Sequence, residues 1–316
     1  MIRVITTHRL QSALAGLVLV VLLLFAAGWT IFVRDGRPAD VREFSAIRDD
    51  WERAVAGRAM SGRVLPGMSP PKATAPLQGN EKLAADQRLV ERCLEVAEKH
   101  PNTAGELGAL YLAACRGPEI DLGKRAQEML LVRMETADLM QLQQGISQSR
   151  LSGPDAARVN QAIAPSIISR VKERPGDPSA AALLTCVCLA LGSGSEMKTP
   201  PPHFTELADL IAANYAASPG IHNFCMSLGG MNPSPSWASE FEAHLRAILE
   251  VNQDRGVRCT ASLALASVVQ LSVDRQTEAK ELYEKFLAEF DGQHEYMFQN
   301  VEQVLYAQAK DRLLSM

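Results

Sequence analysis

A long apolar run near the N-terminus restricts the fold of this chain more than any other feature. Ala13–Val33 contains no charged residue in 21 positions, and 13 of these are Leu, Ile, Val or Phe. At about 1.5 Å per residue, a helix of this length matches the roughly 30 Å hydrocarbon core of a bilayer. Trp29 lies toward its end, where an indole favours the membrane interface, and Arg34 follows the run. The sequence therefore predicts a short basic tail at 1–12 and a transmembrane helix at 13–33.

The same residues also fit a cleaved signal peptide. Arg3 and Arg9 would form its basic region, Leu14–Phe25 its apolar region and Ala26–Gly28 its cleavage site. The apolar run continues beyond that site to Val33, which favours the transmembrane interpretation and leaves the other open.

Charged residues around the span give conflicting indications of its orientation. Two arginines precede it and five follow within about 20 residues, which on the positive-inside rule would place the large domain inside the cytoplasm. A short basic tail before a first span is, however, typical of a signal anchor, and acidic residues are interleaved with the downstream arginines. We therefore expect a single-pass membrane protein with its large domain outside the cytoplasm, the cytoplasmic orientation being the alternative.

The composition beyond the span favours helices. Hydrophobic residues make up 47% of the chain, charged residues 22% and aromatic residues only 5%. Runs of the β-branched and aromatic residues typical of strands are nearly absent after residue 34. We expect an all-α fold, built either as an α-solenoid-like array of helical hairpins or as an irregular helical bundle.

Residues 34–80 are predicted to hold a juxtamembrane amphipathic helix and a linker. The segment from Gly57 to Gly79 is rich in Pro and Gly, so it should not be helical and would let the body stand off from the bilayer. The helix is expected at 38–60, where it would pack on the main domain, pair with a copy of itself or lie on the membrane surface. Its apolar stripe consists of Val41, Phe44, Ile47, Trp51 and Val55.

The rest of the chain is divided by Pro and Gly into helical segments. A break at Gly192–Pro202 would separate a first helical subdomain at 81–191 from a second at 203–316. Segments are expected at 81–99, 103–115, 119–148, 153–173, 178–191, 203–217, 220–229, 235–251, 255–272, 275–290 and 294–314.

Three turns resemble one another and suggest repetition. They lie at 98–103, 172–177 and 251–256, and each closes an amphipathic helix. The helices that follow are rich in Ala, Leu, Cys and Ser, and small side chains let other helices approach from all sides. We therefore expect the segments 104–115, 179–191 and 257–269 to be inner helices.

The last 40 residues predict a helical hairpin. Apolar residues recur at helical spacing in both halves, and the hairpin resembles a tetratricopeptide unit without its full sequence pattern. The first half contributes Ala279, Leu282, Tyr283, Phe286, Leu287 and Phe290, and the second contributes Met297, Val301, Val304, Leu305 and Ala309.

No residue of the chain is predicted to be catalytic, to bind a cofactor or to bind a metal. Cys186 and Cys188 are two apart and would point in different directions on a helix, and the chain has no C-x-x-C motif. The spacings His203-x-x-Glu206 and His222-x-x-Cys225 each lack the further ligands that a metal site needs. We expect the cysteines to be small buried residues, although an exported domain would permit a disulfide. The cysteines are Cys93, Cys115, Cys186, Cys188, Cys225 and Cys259.

Residues 237–290 resemble the helical region that precedes the thioredoxin-like domain in some exported bacterial redoxins. The resemblance is carried by Ile248–Glu250, Asp254–Cys259 and Ala261–Ala266, followed by Ala279 to Phe290. A thioredoxin-like domain with its C-x-x-C motif is absent before Met316, so redox activity does not follow. What the resemblance implies is a helical accessory or interaction module.

The charge distribution bears on the partner. Residues 81–316 hold 22 Lys or Arg against 30 Asp or Glu, and an acidic body is unsuited to neutralising phosphates, so nucleic acid is not expected to bind. Together, these features predict a non-enzymatic, membrane-tethered helical-repeat protein that binds another protein. The alternatives are an accessory component of an envelope redox or enzymatic system with an unrecognised site, and a structural envelope protein that self-associates through the Val41–Val55 stripe.

Overall fold

A computed structural model describes residues 37–56, 79–149, 151, 153–192, 201–230, 235–290 and 301–316 of the chain. Every regular element in these ranges is helical, so the all-α class is confirmed. The α-helices are α1 (Ala39–Ala56), α2 (Gly79–Lys99), α3 (Ala104–Arg116), α4 (Asp121–Thr136), α5 (Leu139–Gln148), α6 (Pro154–Glu173), α7 (Pro178–Gly192), α8 (Phe204–Asn214), α9 (His222–Gly230), α10 (Pro235–Val251), α11 (Arg255–Gln270), α12 (Gln276–Glu289) and α13 (Val301–Leu314). Single turns of 3-10 helix at Pro219–Ile221 and Val273–Arg275 precede α9 and α12.

The predicted tail at 1–12 and the predicted span at 13–33 lie outside the described residues, and so does most of the predicted linker. Within the ranges that are described, no helix combines the length and the apolar character needed to cross a bilayer.

The helices alternate between two rows. In the first row, α1, α3, α5, α7, α9, α11 and α13 follow one another in space, each in contact with the helix two positions further along the chain. In the second row, α2 contacts α4, α4 contacts α6, and α8 contacts α10. Most chain neighbours also pack on each other across the rows. The described helices therefore form a layered array in which sequence neighbours face each other from opposite rows.

Three helices of the first row are the most enclosed, and they are the three with small side chains. All of α3 except Arg116 is buried, and most of α7 and α11 is buried too. The prediction that these segments are inner helices is confirmed. Small residues are required because the helix axes come close together: a Cβ added to Gly145 of α5 would lie 2.7 Å from the Cβ of Leu107 on α3.

The main hydrophobic core is continuous from Phe44 in α1 to Ala279 in α12. Leu191 and Phe204, on either side of the predicted subdomain break, both contribute to it. A smaller cluster joins α11, α12 and α13, with Tyr283 and Phe286 at its centre.

The prediction of one helix at 119–148 is wrong, because the chain breaks between α4 and α5 at Ala137 and Asp138. Asp138 Oδ1 accepts a hydrogen bond from the Gln141 amide at 2.7 Å, and the Gln141 side chain accepts one from the Asp138 amide. This reciprocal capping box starts a new helix. Most of the other predicted segments begin and end within two or three residues of the observed ones, and 291–300 lies outside the described residues.

The apolar stripe of α1 packs on the body of the protein. Val41, Phe44 and Ile47 are buried, with Phe44 fully enclosed, and α1 contacts both α2 and α3. Of the three interpretations of this stripe, packing on the main domain is the one observed for these side chains.

The predicted C-terminal hairpin forms between α12 and α13. Tyr283, Phe286, Leu305 and Ala309 are buried in the smaller core cluster, as the helical spacing predicts. Val304 is 55% exposed, so its predicted place on the apolar face is wrong.

Candidate functional site

A cleft of about 310 Å³ lies between α10 and α12, which sit side by side over α11. Its apolar lining comes from all three helices, with Leu249 on α10, Leu265 on α11, and Leu282 and Phe286 on α12. Leu265 and Phe286 are buried at its base, whereas Leu249 and Leu282 are partly exposed. The arrangement gives a small depression with an apolar base and a polar rim, and it opens to solvent.

One end of the cleft is closed by four charged side chains that form a ring. Arg275 binds Glu242 through two hydrogen bonds of 2.6 and 2.9 Å, and its Nε donates to Glu278 at 2.8 Å. Arg246 donates to Glu242 and to Glu278, each at 2.8 Å. Each carboxylate therefore accepts from both arginines, which fixes the spacing of α10 and α12 at this end.

The hydrogen bonds of the ring shift the pKa values of its residues. Hydrogen bonds from Arg275, followed by those from Arg246, lower the pKa of Glu242 to about 2. Hydrogen bonds to Glu242, followed by that to Glu278, raise the pKa of Arg275 above its ordinary value. Both residues are thus held in their charged forms by each other.

The other end of the cleft is closed by Arg258 at the start of α11. Its Nη1 donates to the carbonyl oxygen of Leu249 at 3.1 Å, close to the end of α10, where a cation is favoured by the free carbonyls. Its Nη2 donates to Glu289 Oε1 of α12 at 2.9 Å. Arg258 therefore bridges the two walls, and the cleft is held open between two arginine-based bridges.

Between the bridges, the rim offers polar groups without partners in the described part of the chain. Glu250 on α10 and Lys285 on α12 are both exposed and take part in no ion pair there, and the hydroxyl of Ser262 has no hydrogen bond there. An apolar base with one free acid, one free base and one free hydroxyl suits an apolar side chain flanked by polar backbone and charged groups.

The cysteines are free thiols in surroundings that disfavour the thiolate. Burial raises the pKa of Cys186 to about 11 and those of four others to about 12, and it raises that of Cys188 as well. Because the thiolate is the nucleophile and the metal ligand, this burial disfavours the reactive form of each cysteine. Cys188 is buried and Cys186 only partly so, which agrees with their pointing in different directions.

Neither of the two histidine pairs noted in the sequence lies beside further metal-ligating side chains among the described residues. His203 Nδ1 lies 3.9 Å from Glu206 Oε2, and both side chains are partly exposed. Burial lowers the pKa of His222, and Cys225 beside it is fully enclosed. Across the described ranges, no three His, Cys, Asp or Glu side chains come together as a metal site requires.

The cleft was missed by sequence reasoning, which predicted no site residue at all. Its walls come from helices about 30 residues apart, and nothing in the spacing of Arg246 or Lys285 shows that they border one groove. A usable signal existed in the paired charges, since Glu242 and Arg246 are spaced by four and Arg275 and Glu278 by three.

No family model matches the chain, and neither a curated protein nor a solved structure shows significant similarity to it. The resemblance of residues 237–290 to a helical region of exported redoxins therefore stays a hypothesis.

Proposed function

We propose that this protein is a membrane-tethered helical-repeat module that binds an extended segment of another protein in the cleft between α10 and α12. Residues 13–33 serve as the tether, with the large domain outside the cytoplasm. The two rows of helices form an α-solenoid-like array that ends in a tetratricopeptide-like hairpin. The protein acts as an interaction or scaffolding module and not as an enzyme.

The observation that carries the proposal is the preformed cleft. Its walls are held apart by the charge ring at one end and by Arg258 at the other, so little conformational entropy is lost when a ligand enters. An apolar side chain that reaches the base beside Phe286 exchanges water for an apolar contact. Glu250 and Lys285 are available for a base and an acid on either side of that residue.

The strength of such binding can be estimated. Burying one Leu-sized side chain contributes roughly 1.5–3 kcal/mol. Two exposed ion pairs at the rim add about 0–1 kcal/mol each. The total of roughly 2–5 kcal/mol, from which the translational and rotational entropy lost on association must still be subtracted, corresponds at best to a dissociation constant on the order of millimolar. A partner of higher affinity must therefore contact further surfaces of the array, which favours a scaffolding role over capture of a short isolated peptide.

The two alternatives have less support. A redox role would need a reactive thiol, whereas burial raises the pKa of all six cysteines. Self-association through the α1 stripe would need Phe44 and its neighbours to be free, whereas they are covered by α2 and α3.

Site-specific photocrosslinking in intact membranes tests the cleft. A photoreactive residue replaces Leu282 in the cleft or, as a control, Val132 on α4, which is 63% exposed and remote from it. We expect a protein adduct from position 282 that is absent from position 132. Lys285→Glu should weaken that adduct, whereas Lys280→Glu, which changes an exposed lysine of α12 outside the cleft, should not. Identical adducts from both positions would refute the assignment of the cleft.

Membrane fractionation tests the tether independently. We expect the full chain to stay in the membrane pellet after alkaline carbonate extraction, and a reporter fused after Met316 to be active outside the cytoplasm. Recovery of the full chain in the supernatant would refute the tether.

A further inference from the structure

The first described helix, α1, is joined to the body by polar contacts at both ends. Near its start, Asp40 Oδ2 accepts a hydrogen bond from the buried Gly105 amide at 2.9 Å, at the N-terminus of α3. Eight residues further along, Arg48 is only 4% exposed and donates to the carbonyl oxygen of Gln148 at the C-terminus of α5. An acid at a helix N-terminus and a base at a helix C-terminus are both favourable placements.

Between and beyond these contacts, α1 is inserted into the core. Phe44 has no exposed surface and rests on the bare backbone of Gly108, where an added Cβ would lie 2.8 Å from its ring. At the far end, Trp51 Nε1 donates to Asp86 Oδ1 at 2.9 Å, and the ring lies 4.4 Å from the guanidinium of Arg116. This helix is therefore part of the body, and it occupies the first place in the first row.

The position of α1 in the sequence gives these contacts a consequence for the membrane. Only residues 34–38 separate the end of the predicted span from Ala39, and six steps of at most about 3.5 Å reach about 20 Å. If α1 were separate from the body, the 22 residues between Ala56 and Gly79 would set the distance, and they can reach about 80 Å. Because α1 packs on the body, the distance between the body and the span is set by residues 34–38 and not by residues 57–78.

We infer that α1 holds the body within about 20 Å of the lipid surface, with the edge that contains its first turn and the α2–α3 turn nearest the bilayer. Residues 57–78 then join two helices of the same body and do not set its distance from the membrane. This differs from the sequence-based expectation that the Pro- and Gly-rich segment lets the body stand off. The inference rests on the proposed tether at 13–33 and goes beyond it by naming the membrane-proximal edge.

Proteolysis of the full chain in membranes separates the two arrangements. The same protease recognition sequence is inserted between Gly36 and Arg37 in one variant and between Gly67 and Met68 in another. After complete cutting and a high-salt wash, the membranes are sedimented. We expect a cut at 36/37 to release the body, and a cut at 67/68 to leave it in the pellet because α1 still binds it. Release of the body by the 67/68 cut would overturn the inference.

Two further arms make the result specific. Adding Phe44→Asp to the 67/68 variant should convert retention into release, with circular dichroism of the released body used to show that it is folded. Retention despite Phe44→Asp would mean that α1 is not what holds the body, and would also overturn the inference. Uncut protein in the supernatant would instead refute the proposed tether itself, so the two failures are distinguishable.

Discussion

Replacement of Asn252 should show how firmly the turns of the array are joined. Its side chain is completely buried after the end of α10. The amide nitrogen donates to the carbonyl oxygens of Ala216 at 2.6 Å and Ser218 at 3.1 Å, and the side-chain oxygen accepts from the Asp254 amide at 2.9 Å. Asn252 thus links the turn between α10 and α11 to the turn after α8.

The size of the effect follows from these three hydrogen bonds. Each contributes a net stabilisation of about 1 kcal/mol, so Asn252→Ala should lower the free energy of unfolding by about 3 kcal/mol. Burial of the groups left without partners raises this loss rather than lowering it. For a body of this size, about 1 kcal/mol corresponds to roughly 2–4 °C in Tm, which gives a decrease of about 6–12 °C.

Thermal unfolding of the chain in detergent micelles, followed by circular dichroism, measures the effect. Gln253→Ala is the matched control, because the neighbouring side chain is exposed and should leave Tm nearly unchanged. Asn252→Asp keeps the size of the side chain but presents a carboxylate to two carbonyl oxygens, so at neutral pH it should destabilise at least as much as Asn252→Ala. Equal melting temperatures for Asn252→Ala and Gln253→Ala would refute the reasoning.

Three other outcomes are expected. Gly145→Ala should destabilise the protein by about 1–3 kcal/mol in urea unfolding, because the new Cβ would lie 2.7 Å from a Cβ of α3, whereas Gly176→Ala has open space and should not. Hydrogen bonds from Arg275 lower the pKa of Glu242 from 4.5 to about 2, so the carboxylate stabilises the fold above pH 4.5 and this contribution disappears as the pH falls toward 2. The difference in urea midpoint between the wild type and Glu242→Gln should shrink over that range, and a constant difference would contradict the cause assigned. Alkylation followed by mass spectrometry should modify the six cysteines much more slowly in the native protein than after denaturation, because burial raises their pKa; rapid native labelling would contradict this.

The parts of the fold that follow from local composition were predictable. An inner helix must let neighbours approach on every side, and only small residues permit that, so α3, α7 and α11 could be recognised from their Ala and Cys content. The turns before them were equally visible, since Pro101, Pro175 and Asp254 each lie where a helix ends or begins. These signals lie within a few residues of the structure that they specify.

Features that depend on distant contacts were not predictable in the same way. The stripe of α1 could be recognised as apolar, but Gly108, the residue that receives Phe44, lies 64 positions away. The cleft forms because α10 and α12 both pack on the inner helix α11. The hydrophobic periodicity of each helix does not show which other helices it packs against. The division at Ala137 is a different case, because the Asp138 and Gln141 spacing of a capping box was present in the sequence and could have been used.

The first row of helices joins the two proposed contact regions, which are the membrane-proximal edge at α1 and the cleft between α10 and α12. The main core runs without interruption from Phe44 of α1 to Ala279 of α12, and Leu265 at the base of the cleft belongs to it. Five steps along the first row lead from α1 to α11, and packed helices are spaced by roughly 8–10 Å, so the path between them is about 40–50 Å long. A partner in the cleft would therefore be held at a set distance from α1, which follows the proposed tether. Because the row is a packed core and not a flexible tether, that distance is a property of the fold, as the proposed scaffolding role requires.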